Sequence, residues 1–444
     1  MKYTIVGSGP SGLSLAYILS LNNIEVQLIE QYDQLGGSWN SQWINGKYFS
    51  ENSPRVFLHS NSSSQLLSHL GFESSDFQNI YGNFFQTNYK MLSFTFKFFN
   101  LLDYLIFFLA TLKYRIVTDN ITVSTWMQQS YLSSDAKKAI KIISILLCDR
   151  PDKTNVNDFF SSIGGSFIPL KQMKEPNKWH ELIEKHLETK KNVKIFKNTK
   201  VIKIDEYNNE FSVFTKNTMY GYTDILTSHK VFLCTQSNGI YPILKNSSEK
   251  IKNNWMSEKD LKKWSENTFY SGFGFQLHFD KIVDFKSEWC WSCQGSWTVI
   301  ILPVSNWLKQ YTKDPSIKTV WSCCIVDMDT VSERTKKTAN ESTHYEVLAE
   351  CLHQINDSIN IPKPKVITTS AGLKKYNNKW VCKNSGYTKN TYKDLPMKGK
   401  LDNLFALGCF IKSKNNHVAH MGTAIDSVAD YLRKYEKLNI NIFH

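Results

Sequence analysis

Arginine is scarce in this chain. Only Arg55, Arg115, Arg150, Arg334 and Arg433 are found among 53 basic residues, and the rest are lysines scattered along 444 positions. The net charge of +13 is thus carried almost wholly by point charges that lack the bidentate fork for reading bases and gripping phosphates. No basic stripe forms, so a solvated surface is expected and nucleic acid is not an expected partner; weak attraction to an anionic membrane surface stays open. Nine cysteines, an odd number without regular spacing, exclude the disulfide framework of a small secreted domain. Cys290-Trp-Ser-Cys293 has no second C-x-x-C to complete a zinc site and no βαβ setting, and Cys323-Cys324 lies inside an apolar strand pattern, so no metal is expected. A long uninterrupted apolar run is also missing. Met91 to Ile116 is the most apolar stretch, but Lys97, Asn100, Asp103 and Lys113 break it below the span of about 18 residues that a transmembrane helix needs. Two readings of it remain: a buried helix, or a helix that touches a membrane face or lines an apolar tunnel. No repeat or low-complexity tract stands out. The first strand pattern starts at Tyr3 and leaves no room for a targeting peptide, so the expected location is cytoplasmic.

The opening residues carry the strongest positive signal. An apolar strand, Tyr3 to Val6, runs into Gly7-Ser-Gly9-Pro10-Ser11-Gly12, and Leu13 to Ser20 then reads as a helix. In a G-x-G-x-x-G turn the first glycine makes the tight turn, the second lets backbone approach a pyrophosphate, and the third lets the helix pack on the strand. The helix N-terminus then faces the phosphates. A second strand, Ile24 to Glu30, ends in a carboxylate placed to accept from a ribose hydroxyl. The expected fold class is α/β, with a Rossmann-type dinucleotide-binding domain. At this length, two or three domains are expected.

Gly36-Gly37-Ser38-Trp39 follows Glu30 and is not part of a minimal NAD(P) fingerprint. At this point the chain resembles the flavin-containing amine oxidase and protoporphyrinogen oxidase superfamily, in which such a pair lies along the pyrophosphate and flavin. Further stretches share the likeness: Ile163 to Leu170, Trp179 to Leu187, Asn192 to Ile204, Lys230 to Thr235, Asn403 to Cys409 and Met421 to Ala429. The resemblance implies FAD as cofactor. It also implies that Val201 contacts the adenine through its backbone, and that Gly408, Cys409, Met421, Gly422 and Ala424 lie along the flavin or its phosphates. The Rossmann-type FAD-binding domain it implies is discontinuous, 1–60, 161–240 and 396–444, interleaved with a mixed α+β substrate domain of 61–160 and 245–395. The Gly-Gly-x-Trp form also resembles the flavin monooxygenases, but a second nicotinamide-binding turn is missing.

Three departures bear on chemistry. Ser38 stands where the family usually has arginine, and Cys409 where it usually has an acidic residue; each exchanges a charge-assisted hydrogen bond for a weaker one. The strand Phe273 to Phe279, matched to the one that bears the amine oxidases' lysine near flavin N5, offers Gln276 and His278. These two and His420, just before the C-terminal helix, are the candidate catalytic residues, while Trp380 and Tyr387 are candidate walls of a substrate pocket. The resulting expectation is an FAD-dependent oxidase or dehydrogenase taking hydride from a small organic molecule at a C–N or C–C bond, with an electron acceptor such as O2. The alternatives are a desaturase-like or porphyrinogen-oxidase-like enzyme at a membrane surface, a monooxygenase-like enzyme, and a degenerate flavoprotein.

Overall fold

The computed structural model describes residues 1–52, 55–56, 60–80, 98–146, 150–164, 171–270, 272–286, 291–381, 387–388, 395–411, 420–436, 438 and 442–443. The opening motif folds as the strand Lys2–Val6, a turn, and the helix Pro10–Leu21, with Pro10 in the first turn where its missing N–H costs nothing. A five-stranded sheet grows around the first strand in the order Leu404–Ala406, Lys230–Leu233, Lys2–Val6, Glu25–Ile29, Val193–Phe196. All its pairings are parallel, with Tyr3 opposite both Lys230 and Val26. Its strands come from distant parts of the chain, and a parallel sheet buried on both faces explains why each reads as a continuous apolar run.

Period-two alternation divides the sheet's side chains. Tyr3, Ile5, Val26, Leu28, Phe232 and Phe405 face a core shared with the helices Pro10–Leu21, Lys178–Glu188 and Met421–Tyr435. Val6, Ile29, Val231, Leu233 and Leu404 face the other way, toward Ile240, Leu244, Leu261 and Trp264 and a three-stranded antiparallel sheet that begins with Thr199–Tyr207. The helices Glu249–Lys252 and Glu258–Thr268 contribute Ile251, Leu261 and Trp264 to this second core, so they pack with the parallel sheet although they lie past residue 245.

A separate antiparallel sheet runs Ile300–Leu302, Thr319–Ile325, Phe273–Phe279, Val366–Thr369. Phe273, Phe275, Leu277 and Phe279 pack toward the helix His344–Ile359 through Val347, Cys351 and Ile355. Ile300, Leu302, Val320 and Cys324 join the core of the helical segment, with Tyr114, Trp126, Ile140 and Phe160. Cys293 and Cys323 are core thiols; burial pushes Cys293 up to about 12 and Cys323 well above its ordinary value. Cys290 and residues 91–97 lie outside the described residues.

The apolar stretch forms the helix Leu101–Ile116. Ala110 and Tyr114 are buried, but Leu101, Leu105, Phe108, Leu109 and Ile116 are more than half exposed. Among the described residues no helix is long and apolar enough to cross a membrane. The helix is moored at its start: Asn100 and Asp103 form a capping box, and Asp103 also accepts from the backbone N–H and hydroxyl of Ser133 at 2.8 and 2.7 Å.

Candidate dinucleotide site

The two glycine turns interlock. Gly12 sits so close to the preceding turn that a Cβ there would fall 1.9 Å from the carbonyl oxygen of Gly7. Gly36 has φ +101°, a conformation that suits glycine, and its N–H donates to the carbonyl of Ser8 at 3.0 Å. A Cβ on Gly37 would stand 2.8 Å from the Cα of Gly9. Gly9 itself has ordinary extended geometry, and a Cβ there would meet no protein atom within 4 Å. Of these glycines it alone opens onto space, which is the cradle a pyrophosphate requires. Pro10 and Ser11 start the helix, and the Ser11 hydroxyl donates to the carbonyl of Leu407 at 3.3 Å. Ser38 and Trp39 complete a short 3-10 turn, with Trp39 packed on the neighbouring core.

Glu30 is buried at the end of the second strand. One carboxylate oxygen accepts from the backbone N–H and hydroxyl of Ser8 at 3.0 and 2.6 Å, and the other from the N–H of Tyr32 at 3.1 Å. Burial pushes the carboxyl above its ordinary range, while the bonds from Ser8 and Tyr32 pull the other way. A carboxylate offers about four acceptor positions, so capacity for a ribose hydroxyl remains. Val201 is buried beside Val6 and Ile29, and its ladder with the next strand is irregular between Val201 and Lys203.

From the other end of the chain, Gly408 donates its N–H to the Ser427 hydroxyl at 3.0 Å, which ties the last strand to the last helix. Cys409 is half-buried beside it. Met421, Gly422 and Ala424 form the buried first turn of the helix Met421–Tyr435, and His420 is its N-cap. The Nδ1 of His420 accepts from the N–H of Gly422 at 2.9 Å, so that nitrogen carries no proton; burial pushes the imidazole down to about 4, in agreement.

Sequence reasoning missed two residues behind the Gly-Gly turn. Asn177 accepts from the N–H of Ser41 at 2.8 Å and donates to its carbonyl at 3.0 Å, clamping the end of the turn. His180 is 4 % exposed and its ring lies against Gly36, 2.7 Å from where a Cβ would stand. Neither of its nitrogens has a hydrogen-bond partner among the described residues, and burial lowers it to about 4. Both sit at the start of a helix whose apolar pattern gives no hint of what the preceding residues touch.

Residues 5–70 match the family described as an NAD(P)-binding Rossmann-like domain. No curated protein matches the sequence. Solved structures match over nearly the whole chain: an oxidoreductase from Methanosarcina mazei has a TM-score of 0.68 at 13 % identity, covering 98 % of this chain and 100 % of that one. A putrescine oxidase bound to putrescine has a TM-score of 0.65 at 14 % identity, covering 98 % of this chain and 100 % of that one. A protein provisionally named a protoporphyrinogen oxidase, from Exiguobacterium sp. 255-15, has a TM-score of 0.63 at 12 % identity, covering 98 % of both chains. At 12–14 % identity these likenesses show a shared fold over nearly the whole chain.

The second sheet holds the remaining candidates. Gln276 and His278 share a strand face and are fully buried. The Gln276 amide donates to the Glu51 carbonyl at 2.7 Å and accepts from Thr368 Oγ1 at 3.1 Å; His278 Nε2 also contacts Thr368 Oγ1 at 3.1 Å. Burial lowers His278 to about 4. The segment Tyr48 to Asn52 covers both, with the Tyr48 ring edge-on to His278 at 5.3 Å. Trp380 is a core side chain, packed edge-on to Phe273 at 5.4 Å with its indole N–H donating to the Ala339 carbonyl at 3.0 Å. Tyr387 lies in the short strand Tyr387–Thr388, paired with Phe269–Tyr270; its side chain is outside the described residues.

Proposed function

We propose that this chain is an FAD-dependent oxidoreductase that takes a hydride from a small organic substrate at a C–N or C–C bond. The interlocked turns carry the reading: Gly9 opens onto space, and the Gly36–Gly37 turn is pressed against it with Glu30 at the edge. FAD fits these residues. The backbone of Gly9 to Gly12 would hold the pyrophosphate, Glu30 the ribose, Val201 the adenine, and the helix start at Met421 the flavin's pyrimidine edge or phosphates. Bound there, FAD would supply the two-electron oxidant. Ser38 and Cys409 give it fewer charge-assisted contacts than the family pattern. The buried thiols Cys293, Cys323 and Cys351 suit a reducing cytoplasm.

The test is an absorption spectrum of the purified protein and chromatography of whatever cofactor is released on denaturation. Flavin bands with released FAD are expected. A colourless protein that also refuses added FAD overturns the reading and points to a degenerate site.

The exposed face of Leu101–Ile116 favours a second reading, oxidation at a membrane surface. It expects co-flotation with anionic liposomes at low salt, and no flotation removes it.

A further inference from the structure

Glu51 has chemistry that the proposed function leaves unused. It is 2 % exposed and packs against the antiparallel sheet through Ser322 and Gln276. One carboxylate oxygen accepts from the Ser322 hydroxyl at 2.5 Å; the other, Oε2, is buried and has no hydrogen-bond partner among the described residues. The Arg55 Nε lies 4.0 Å from that oxygen, is buried too, and also lacks a partner. An acidic and a basic group are thus buried 4.0 Å apart, each with a polar atom that has no hydrogen-bond partner among the described residues. Buried groups of this kind are costly unless something satisfies them, and clusters of them mark sites where a polar group is taken up.

The place is informative. The backbone carbonyl of Glu51 accepts from Gln276 at 2.7 Å and from the Ser370 hydroxyl at 3.2 Å. The carboxyl therefore lies over the strand that the family resemblance sets opposite the flavin. Arg55 is the charged group whose field reaches Glu51. Ser322, Gln276 and Ser370 are neutral contacts. The other titratable groups on the same elements are His278, which contacts Thr368, Cys323 and Cys324, which lie in apolar cores, and Tyr48, whose hydroxyl donates to Asp314 at 3.0 Å. Burial lifts Glu51 to about 7, with Arg55 and Ser322 pulling down.

We propose that Glu51 is a proton-accepting residue of the oxidation, with Oε2 and the Arg55 guanidinium facing the reacting end of the substrate. This rests on the FAD-dependent reading above. The substrate's C–H bond breaks with its electron pair, which leaves with the hydrogen as hydride to the flavin. The N–H bond, or the adjacent C–H bond, breaks heterolytically; its electron pair forms the new double bond and its proton goes to Oε2 of Glu51. Arg55 steadies the carboxylate before transfer, and a base poised near the working pH is effective in this role.

Two measurements test the proposal. Infrared pH titration of the FAD-loaded protein, without substrate, should show a carboxylic C=O band vanishing between about pH 6 and 8, and Glu51→Gln should lack that band. Oxidation of a panel containing putrescine and a protoporphyrinogen should show an acid limb in kcat/KM near the same pH. Glu51→Gln should lower kcat/KM by ~10²–10⁴ and lose the limb, and Glu51→Asp should restore part of both. If no carboxyl titrates in that range, or if Glu51→Gln keeps the wild-type rate and limb, Glu51 is not the acceptor even though the FAD reading stands. A flavin-free protein, or one that turns over nothing in the panel, overturns the functional reading together with this role.

Discussion

The parallel sheet and the antiparallel sheet solve different problems with different materials. Around Gly9 the site is built from backbone: turns, a helix start and one carboxylate, all set by which positions lack a Cβ. Around Glu51 the polar cluster is built from side chains that meet across long sequence separations, with Ser322 and Gln276 both more than 200 residues away. A backbone site must be spelled locally, because the turn geometry demands glycine at fixed spacing. A side-chain site can be assembled from any residues that topology brings together, and no spacing reveals it.

The sharpest way to break this contrast uses two neighbouring glycines. Gly12→Ala places a Cβ 1.9 Å from a backbone oxygen that cannot move without dismantling the turn. A loss of stability of about 3 kcal/mol or more and loss of FAD binding are expected. Gly9→Ala has free space and ordinary φ, so its stability should stay within about 0.5 kcal/mol of wild type while FAD binding weakens. Denaturant melts and FAD titrations of both variants check this. Equal behaviour of the pair would show that the open side of Gly9 does not face the cofactor.

Glu51 tests the side-chain half through stability alone. Its carboxyl is raised from 4.5 to about 7 in the folded chain, so between those values the folded state keeps a proton that the unfolded state has released. Stability from this group is full below pH 4.5 and is lost as pH rises through about 7, a total of about 3 kcal/mol at the limit. Chemical denaturation of wild type and Glu51→Gln across that range should show the wild-type slope flattened in the variant. Parallel curves would mean that Glu51 is ionised throughout.

The α/β class, the glycine turns and the strand that ends at Glu30 were legible because each depends on local periodicity or turn chemistry, whereas the helix at Met421 was legible through the family resemblance. The apolar stretch at 101–116 was legible as a helix but not as an exposed one, since amphipathic spacing does not say which face finds a partner. The role of Trp380 was not legible either: a ring wall and a core ring look alike in sequence, and the structure packs it on Phe273. His180 and Glu51 gave no signal, since their meaning lies in what they fail to bond with once folded.

Within the backbone-built site, Glu30 is the residue whose side chain matters most. Glu30→Ala removes acceptors for Ser8 and Tyr32 and for a ribose hydroxyl. FAD affinity should fall by about 1.5–3 kcal/mol, the range for a hydrogen bond to a charged group. Equilibrium titration with FAD reads this directly, and an unchanged affinity would refute the ribose role.

The smallest expected effect separates capping from catalysis at His420. The imidazole caps the last helix through an unprotonated Nδ1, so His420→Ala should cost about 1 kcal/mol of stability, as lost N-caps do. The group is lowered from 6.5 to about 4 in the folded chain, so its contribution is present above pH 6.5 and is lost as pH falls toward 4. The penalty of His420→Ala should therefore be largest near pH 8 and shrink on acidification, whereas His420→Asn, whose amide oxygen can take over the cap, should retain stability at every pH. If His420→Asn folds normally, binds FAD and turns over substrate at the wild-type rate, His420 is a cap and nothing more. A stable, FAD-bound His420→Asn that has lost turnover would instead bring this side chain into the chemistry, and the backbone-built half of the molecule would then have a reacting group of its own.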